Sequence, residues 1–96
     1  MPTSDEALNE IANYLKNNPA LSFYVVGHTD AVGTYSYNQT LSGNRAAAVA
    51  KELVDKFEIN VQRLEPHGVG PLLPVFSNVT DAGRGKNRRV ELVERP

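Results

Sequence analysis

Three observations predict an α+β fold, an α/β two-layer sandwich with helices on a small sheet. A strongly β-forming apolar run, Leu21 to Gly27, lies between two stretches of helical periodicity, Thr3 to Asn17 and Ser36 to Phe57. The closing segment, Arg88 to Glu94, alternates as a strand does. The length, 96 residues, suits one domain with a single thin core. Helices on both sides of an apolar strand in sequence imply layering against a sheet.

The first helix is amphipathic. Thr3 and Glu6 have capping-box spacing, and Asp5 and Glu6 suit the positive end of the helix dipole. Ala7, Leu8, Ile11, Ala12 and Leu15 share one face, and Pro19 ends the helix at Asn17-Asn18. Tyr14 and Tyr24 read as aromatics at the edge of the core. Leu21 to Gly27 is nearly continuous in apolar residues, as expected of a central strand. The polar turn after it holds Asp30 and Gly33; Gly27 and Gly33 read as positions needing close approach or an unusual backbone.

The second helix carries Ala46, Val49, Ala50, Leu53 and Phe57 as its apolar stripe. Asn38 and Arg45 fall on one face two turns apart. Glu58-Ile59-Asn60 closes it, and Val61 to Arg63 connects to a short strand, Leu64 to Val69, placed near an edge by Pro66 and Gly68. Gly70 to Gly85 reads as a long loop, with a helical turn at Asp81 to Lys86. In the last strand Val90 and Leu92 share a face, opposite Arg89, Glu91 and Val93, and Arg88 falls on the apolar side.

The bulk numbers exclude several classes. A net charge of -1 gives no overall pull toward nucleic acid or anionic lipid. The absence of cysteine rules out disulfides and thiolate metal sites. No apolar run approaches the ~20 residues of a membrane helix, and no signal peptide is read at the start, so a targeting segment would lie outside this sequence.

Motifs for catalysis are weak. Ser42, His28 and Asp30 could be named as a triad, but no nucleophile elbow surrounds Ser42, which reads as a backbone bonder early in a helix. His28 and His67 lack metal-ligand spacing, and His28 reads as a local hydrogen bonder. The glycines of residues 27–33 spell no phosphate-binding loop. The basic run Gly83 to Arg89 has no interleaved aromatic residue for base stacking and is balanced by nearby acids, which argues against nucleic acid. Asn38-Gln39-Thr40 and Asn78-Val79-Thr80 match the glycosylation pattern, which arises often by chance.

Asp30, Asn38, Arg45 and Arg88 remain. One reading is a salt bridge that pins the loop. The other starts from the charge count: two arginines beside apolar faces outnumber one aspartate. Surplus guanidinium favours a carboxylate partner, and Asp30 would take a cation on the same molecule. That ligand is a zwitterion resembling an amino acid.

These residues also resemble a family. Gly27-His28-Thr29-Asp30, Gly33, Asn38, Leu41-Ser42 and Arg45-Ala46 are similar to the core motif of the OmpA-like peptidoglycan-binding domain. The likeness continues through Arg63-Leu64, Gly68, Pro74, Asn78, Gly83-Arg84 and Asn87 to Glu91, and spans roughly Leu8 to Val93. It implies a β-α-β-α-β-β fold, a mixed sheet with helices on one face. It implies a non-covalent cell-wall anchor with no enzymatic activity, cofactor or metal, in the periplasm and associated with the outer membrane or cell envelope. The bound group would be the diaminopimelate of the stem peptide: its ammonium on Asp30, its carboxylate on Arg45, hydrogen bonds from Asn38 and Arg88, and Thr29 and Val32 completing the pocket. The parent protein would be tethered to a membrane through other segments. The alternative is a structural or oligomerisation domain of the same fold that binds no ligand. Family members begin with a strand before the first helix. Residues 1–96 start at or inside that helix, so the resemblance implies an N-terminally truncated single domain with an exposed sheet edge that invites pairing into a homodimer.

Overall fold

The computed structural model describes residues 5–73, 78, 80, 85 and 88–96. Helix α1 (Asp5–Asn17) leads into strand β1 (Phe23–His28), helix α2 (Tyr35–Phe57), a 3-10 turn (Val61–Arg63), strand β2 (Leu64–Gly68) and strand β3 (Arg89–Glu94). The capping role expected of Thr3 and nearly all of the turn expected at Asp81 to Lys86 lie outside the described residues.

The sheet has the order β2-β1-β3, so the most apolar strand is central, as its composition predicts. Strand β1 runs parallel to β2, with Phe23 opposite Leu64 and Gly27 opposite Gly68. It runs antiparallel to β3, with Phe23 opposite Glu94 and His28 opposite Arg89. The parallel pair needs a crossover, and α2 supplies it. Pro66 is tolerated because β2 is an edge strand, where a missing N–H breaks no ladder on the outer side.

The core lies between the helices and one face of the sheet. Leu8, Ala12 and Leu15 of α1 meet Phe23 and Val25 of β1 and Ala46, Val49, Ala50 and Leu53 of α2, with Ile59 and Leu64 closing the cluster. Val90 and Leu92 pack against it from β3, on the face the alternation predicts. Helix α2 begins one residue earlier than its periodicity indicates, because Thr34 caps it: its hydroxyl accepts the Tyr37 N–H at 3.1 Å. It ends at Glu58, whose left-handed backbone (φ 59°) returns an N–H to the Leu53 carbonyl.

Two close approaches set the position of α2. A Cβ on Gly27 would fall on the Ser42 carbonyl, and one on Gly68 would fall on the Gly43 amide and the Ser42 hydroxyl. The first turns of α2 therefore rest directly on the backbone of β1 and β2 where those strands end. At the opposite end, Arg63 ties the layers together. Its guanidinium donates to the carbonyls of Leu21 at 2.9 Å, Leu15 at 2.8 Å and Asn18 at 2.9 Å.

Candidate functional site at the end of the central strand

Beyond His28 the chain leaves the sheet and its buried residues become polar: His28, Thr29 and Asp30, faced by Asn38 and Ser42 of α2. Each buried polar group needs a partner, and for Thr29, Asp30, Asn38 and Ser42 the neighbouring main chain supplies one. The Thr29 N–H bonds the Gly70 carbonyl at 3.0 Å, and its hydroxyl bonds the Asp30 carbonyl at 2.9 Å. Gly33, at φ 96°, lets the loop turn back toward α2 in a conformation other residues rarely adopt.

Val32 is held from both sides. Its N–H donates to Asp30 Oδ1 at 3.0 Å, and its carbonyl accepts from Asn38 Nδ2 at 2.9 Å. Asp30 Oδ2 takes the Arg88 guanidinium at 2.5 Å. Thr29, Asp30, Val32, Asn38 and Arg88 are thereby joined by direct hydrogen bonds. The carboxylate side chain is 11% exposed and the arginine 39%, so the pair lies at the mouth of the loop.

Arg45 stands apart from that chain of bonds. It is half-buried two turns along α2 from Asn38, and among the described residues it has no hydrogen-bond or ion-pair partner. The pair that closes is thus Asp30–Arg88. One guanidinium remains to attract an anion. Arg89, beside Arg88, donates instead to the Leu73 carbonyl at 3.0 Å and to Glu91 at 3.1 Å. These two arginines are therefore engaged inside the domain, while Arg84, Lys86 and Asn87 of the basic run lie outside the described residues.

Three further residues hold the site, and their roles are hard to read in sequence. Ser42 Oγ donates to the Gln39 carbonyl at 2.9 Å and accepts the Gly70 N–H at 2.9 Å. It is the backbone bonder expected, with a long-range partner in addition, and Gln39 reaches the Gly68 carbonyl. His28 corrects an expectation. Rather than bonding locally, it places Nε2 2.7 Å from Glu91 Oε1 on β3, with its side chain only 3% exposed. That contact lies off the line of a directed hydrogen bond, and neither ring nitrogen has a well-aligned partner. Burial pushes the His28 pKa below the ordinary 6.5; Arg89 adds to this and Glu91 opposes it.

Other chemistry finds no footing here. Among the described residues, no three His, Cys, Asp or Glu side chains gather where they could hold a metal ion. Asn38 is 3% exposed and bonded to Val32, which keeps the first glycosylation match out of reach in the folded chain. A hollow of about 600 Å³ opens at the other end of the strands beside Tyr24, Glu65, Glu94 and Arg95. Two of its charged groups are already paired with each other, since Glu65 meets both His67 and Arg95.

Comparison with known proteins agrees with the motif. A model of the OmpA family matches residues 1–88. Outer membrane porin F of Pseudomonas aeruginosa is 44% identical over 84 residues, covering 88% of this chain and 24% of that protein. The peptidoglycan-binding protein ArfA of Mycobacterium bovis is 39% identical over 93 residues, covering 97% of this chain and 28% of that protein. The crystal structure of the peptidoglycan-associated lipoprotein from Burkholderia pseudomallei matches with a TM-score of 0.86 at 31% identity, covering 98% of this chain and 81% of that one. The chain thus spans about a quarter of the length of porin F and of ArfA.

Proposed function

The chain belongs to the OmpA family, and we propose that it binds peptidoglycan non-covalently through the diaminopimelate residue of the stem peptide. The family is one of cell-wall-binding domains, not of enzymes. The observation that carries the finer reading is the half-buried Arg45, without a partner among the described residues, on the helix face that also presents Asn38 to the Asp30 loop.

In this reading the ligand ammonium shares Asp30 with Arg88, and the ligand carboxylate takes the planar fork of Arg45. Asn38 and Arg88 add hydrogen bonds, and Thr29 lines the turn. The Val32 amide already serves Asp30, so its part is to aim that carboxylate. The Asp30 carboxylate is only 11% exposed, so the ligand ammonium must restore the hydrogen-bonded positive charge that Arg88 supplies, which a zwitterion seated at the mouth of the loop does. The domain works in the periplasm as the wall-facing part of a cell-envelope protein. Tethering of that protein to a membrane would turn a modest single-site affinity into retention, because the wall repeats its ligand many times.

Sedimentation with purified sacculi and titration with meso-diaminopimelate test the proposal. The wild-type chain should co-sediment, and Asp30→Ala with Arg45→Ala should leave it in the supernatant. Undiminished binding by the double variant would sink the assignment. The alternative, a scaffold that binds nothing, is favoured by the closed Asp30–Arg88 pair. It leaves Arg45 without a role, and it predicts no amide shifts between Asp30 and Arg45 at millimolar diaminopimelate.

A further inference from the structure

On β3, Glu91 Oε1 has two claimants. His28 Nε2 lies 2.7 Å from it, and Arg89 Nη2 lies 3.1 Å from it. The same Arg89 nitrogen donates to the Leu73 carbonyl at 3.0 Å. That bond ties down the segment after β2, Gly70 to Leu73, which runs beside the Asp30 loop. At its other end the Gly70 N–H bonds Ser42 Oγ at 2.9 Å, and the Gly70 carbonyl accepts the Thr29 N–H at 3.0 Å. The Thr29 hydroxyl in turn bonds the Asp30 carbonyl. Arg89 thus holds the far end of a chain of contacts that reaches the carboxylate residue of the pocket.

His28 stands on the sheet face away from α2, because α2 rests against its neighbour Gly27 and side chains alternate along a strand. Among the described residues, β3 turns two charged groups toward it, its register partner Arg89 and Glu91. From β2 the same face carries His67, which lies opposite Val26 and is engaged with Glu65. The loop beyond it carries Asp30, closed by Arg88. Burial and then Arg89 hold the ring neutral, while Glu91 favours the proton. A neutral ring leaves Glu91 to Arg89. An imidazolium would be a second cation on the same carboxylate oxygen, with little solvent to screen it from the first.

We propose that His28, Glu91 and Arg89 form a proton-operated latch on the pocket. Protonation of His28 draws Glu91 away from Arg89 and repels the guanidinium, which then releases Leu73. The segment from Gly70 to Leu73 loosens, and with it the seat of Thr29 and Asp30, so binding of the zwitterion weakens as pH falls. The proposal rests on the diaminopimelate reading for its ligand; the loosening itself is a property of the free chain.

Nuclear magnetic resonance of the chain from about pH 7.5 to about pH 5, where histidines titrate and ordinary carboxylates stay ionised, tests the latch. The amides of Gly70, Leu72 and Leu73 should shift in step with the His28 ring and not with the His67 ring. Over the same range the Kd for meso-diaminopimelate should rise roughly three- to tenfold, the effect of losing one hydrogen-bonded tie. His28→Gln should make that Kd level with pH, and His67→Gln should leave its pH dependence as in the wild type. Glu91→Gln should also level it, by neutralising the shared carboxylate, and it replaces His28→Gln if circular dichroism melting shows that variant to be unfolded. A His28 ring that stays neutral to the acid end, or amides that stay still while it titrates, would overturn the latch. So would a wild-type Kd that does not change with pH, or one that still rises in His28→Gln. Amides that follow His28 in a chain that binds no diaminopimelate at any pH would support the latch and overturn the reading of the ligand.

Discussion

The two ends of β1 use the same residue types in opposite ways. At the Phe23 end, side chains close on one another: Leu15 and Leu53 are fully buried, and Arg63 donates to three main-chain carbonyls. At the His28 end, polar groups are buried, the α2 backbone rests on glycines, and Arg45 has no partner among the described residues. Both ends carry a partly buried arginine on or near the apolar layer. One has its donors consumed by the fold, and the other has them available. The arginine that is saturated internally belongs to the scaffold; the one that is not is positioned for something outside the chain. A stable layer at one end lets the other keep charges that contribute little to folding.

Substitutions at the two ends should therefore separate stability from binding. The largest loss of stability is expected at the apolar end. Leu53→Ala should cost about 3 kcal/mol by opening a cavity, measured by urea unfolding, with sacculus binding intact wherever the variant is folded. If binding falls with the fraction folded held constant, the two ends are not separable. Next is Arg63→Met, which strands three carbonyls and should cost about 1–3 kcal/mol. Arg63→Lys should recover little, since one ammonium cannot copy a fork that reaches three acceptors; full recovery would reduce the arginine to a simple charge.

His28 lies at the boundary between the two behaviours and adds a dependence on pH. Its folded pKa is depressed below 6.5. Above that pH the side chain is neutral in both states and contributes no slope. As pH falls below 6.5 the unfolded chain takes up a proton that the folded chain resists, so stability declines until the folded pKa is reached. His28→Gln should flatten that part of a stability–pH curve, and an unchanged slope would show that another group causes it. The smallest effect on folding is expected for Arg45→Ala, within about 0.5 kcal/mol of wild type, although the variant should lose diaminopimelate. A large destabilisation by Arg45→Ala would mean that it is scaffold after all, and the contrast between the two ends would collapse.

Much of the fold is legible in the sequence. Periodicity identified both helices and the faces of β3, because such patterns repeat within a few residues and report directly on burial. The apolar run from Leu21 to Gly27 marked the central strand, and Pro66 marked an edge. Boundaries slipped where a side chain decided them, as when Thr34 capped α2 ahead of its apolar stripe. Family likeness points to Val32 as a site residue, and only the folded loop shows that its backbone is the hub between Asp30 and Asn38.

By itself, the sequence determined the order of the elements, which faces are apolar, and which charged residues have no obvious use in a core. These follow from local spacing and composition. The tertiary structure alone decided the partners. Asp30 takes Arg88, a residue 58 positions away, instead of Arg45 on the next helix; His28 faces Glu91 across two strands; and Arg63 is spent on the turn after α1. Arginine side chains are long, and any of several could reach a given carboxylate. Strand register and the close seating of α2 on Gly27 and Gly68 choose among them, and those are set by contacts between segments far apart in the chain.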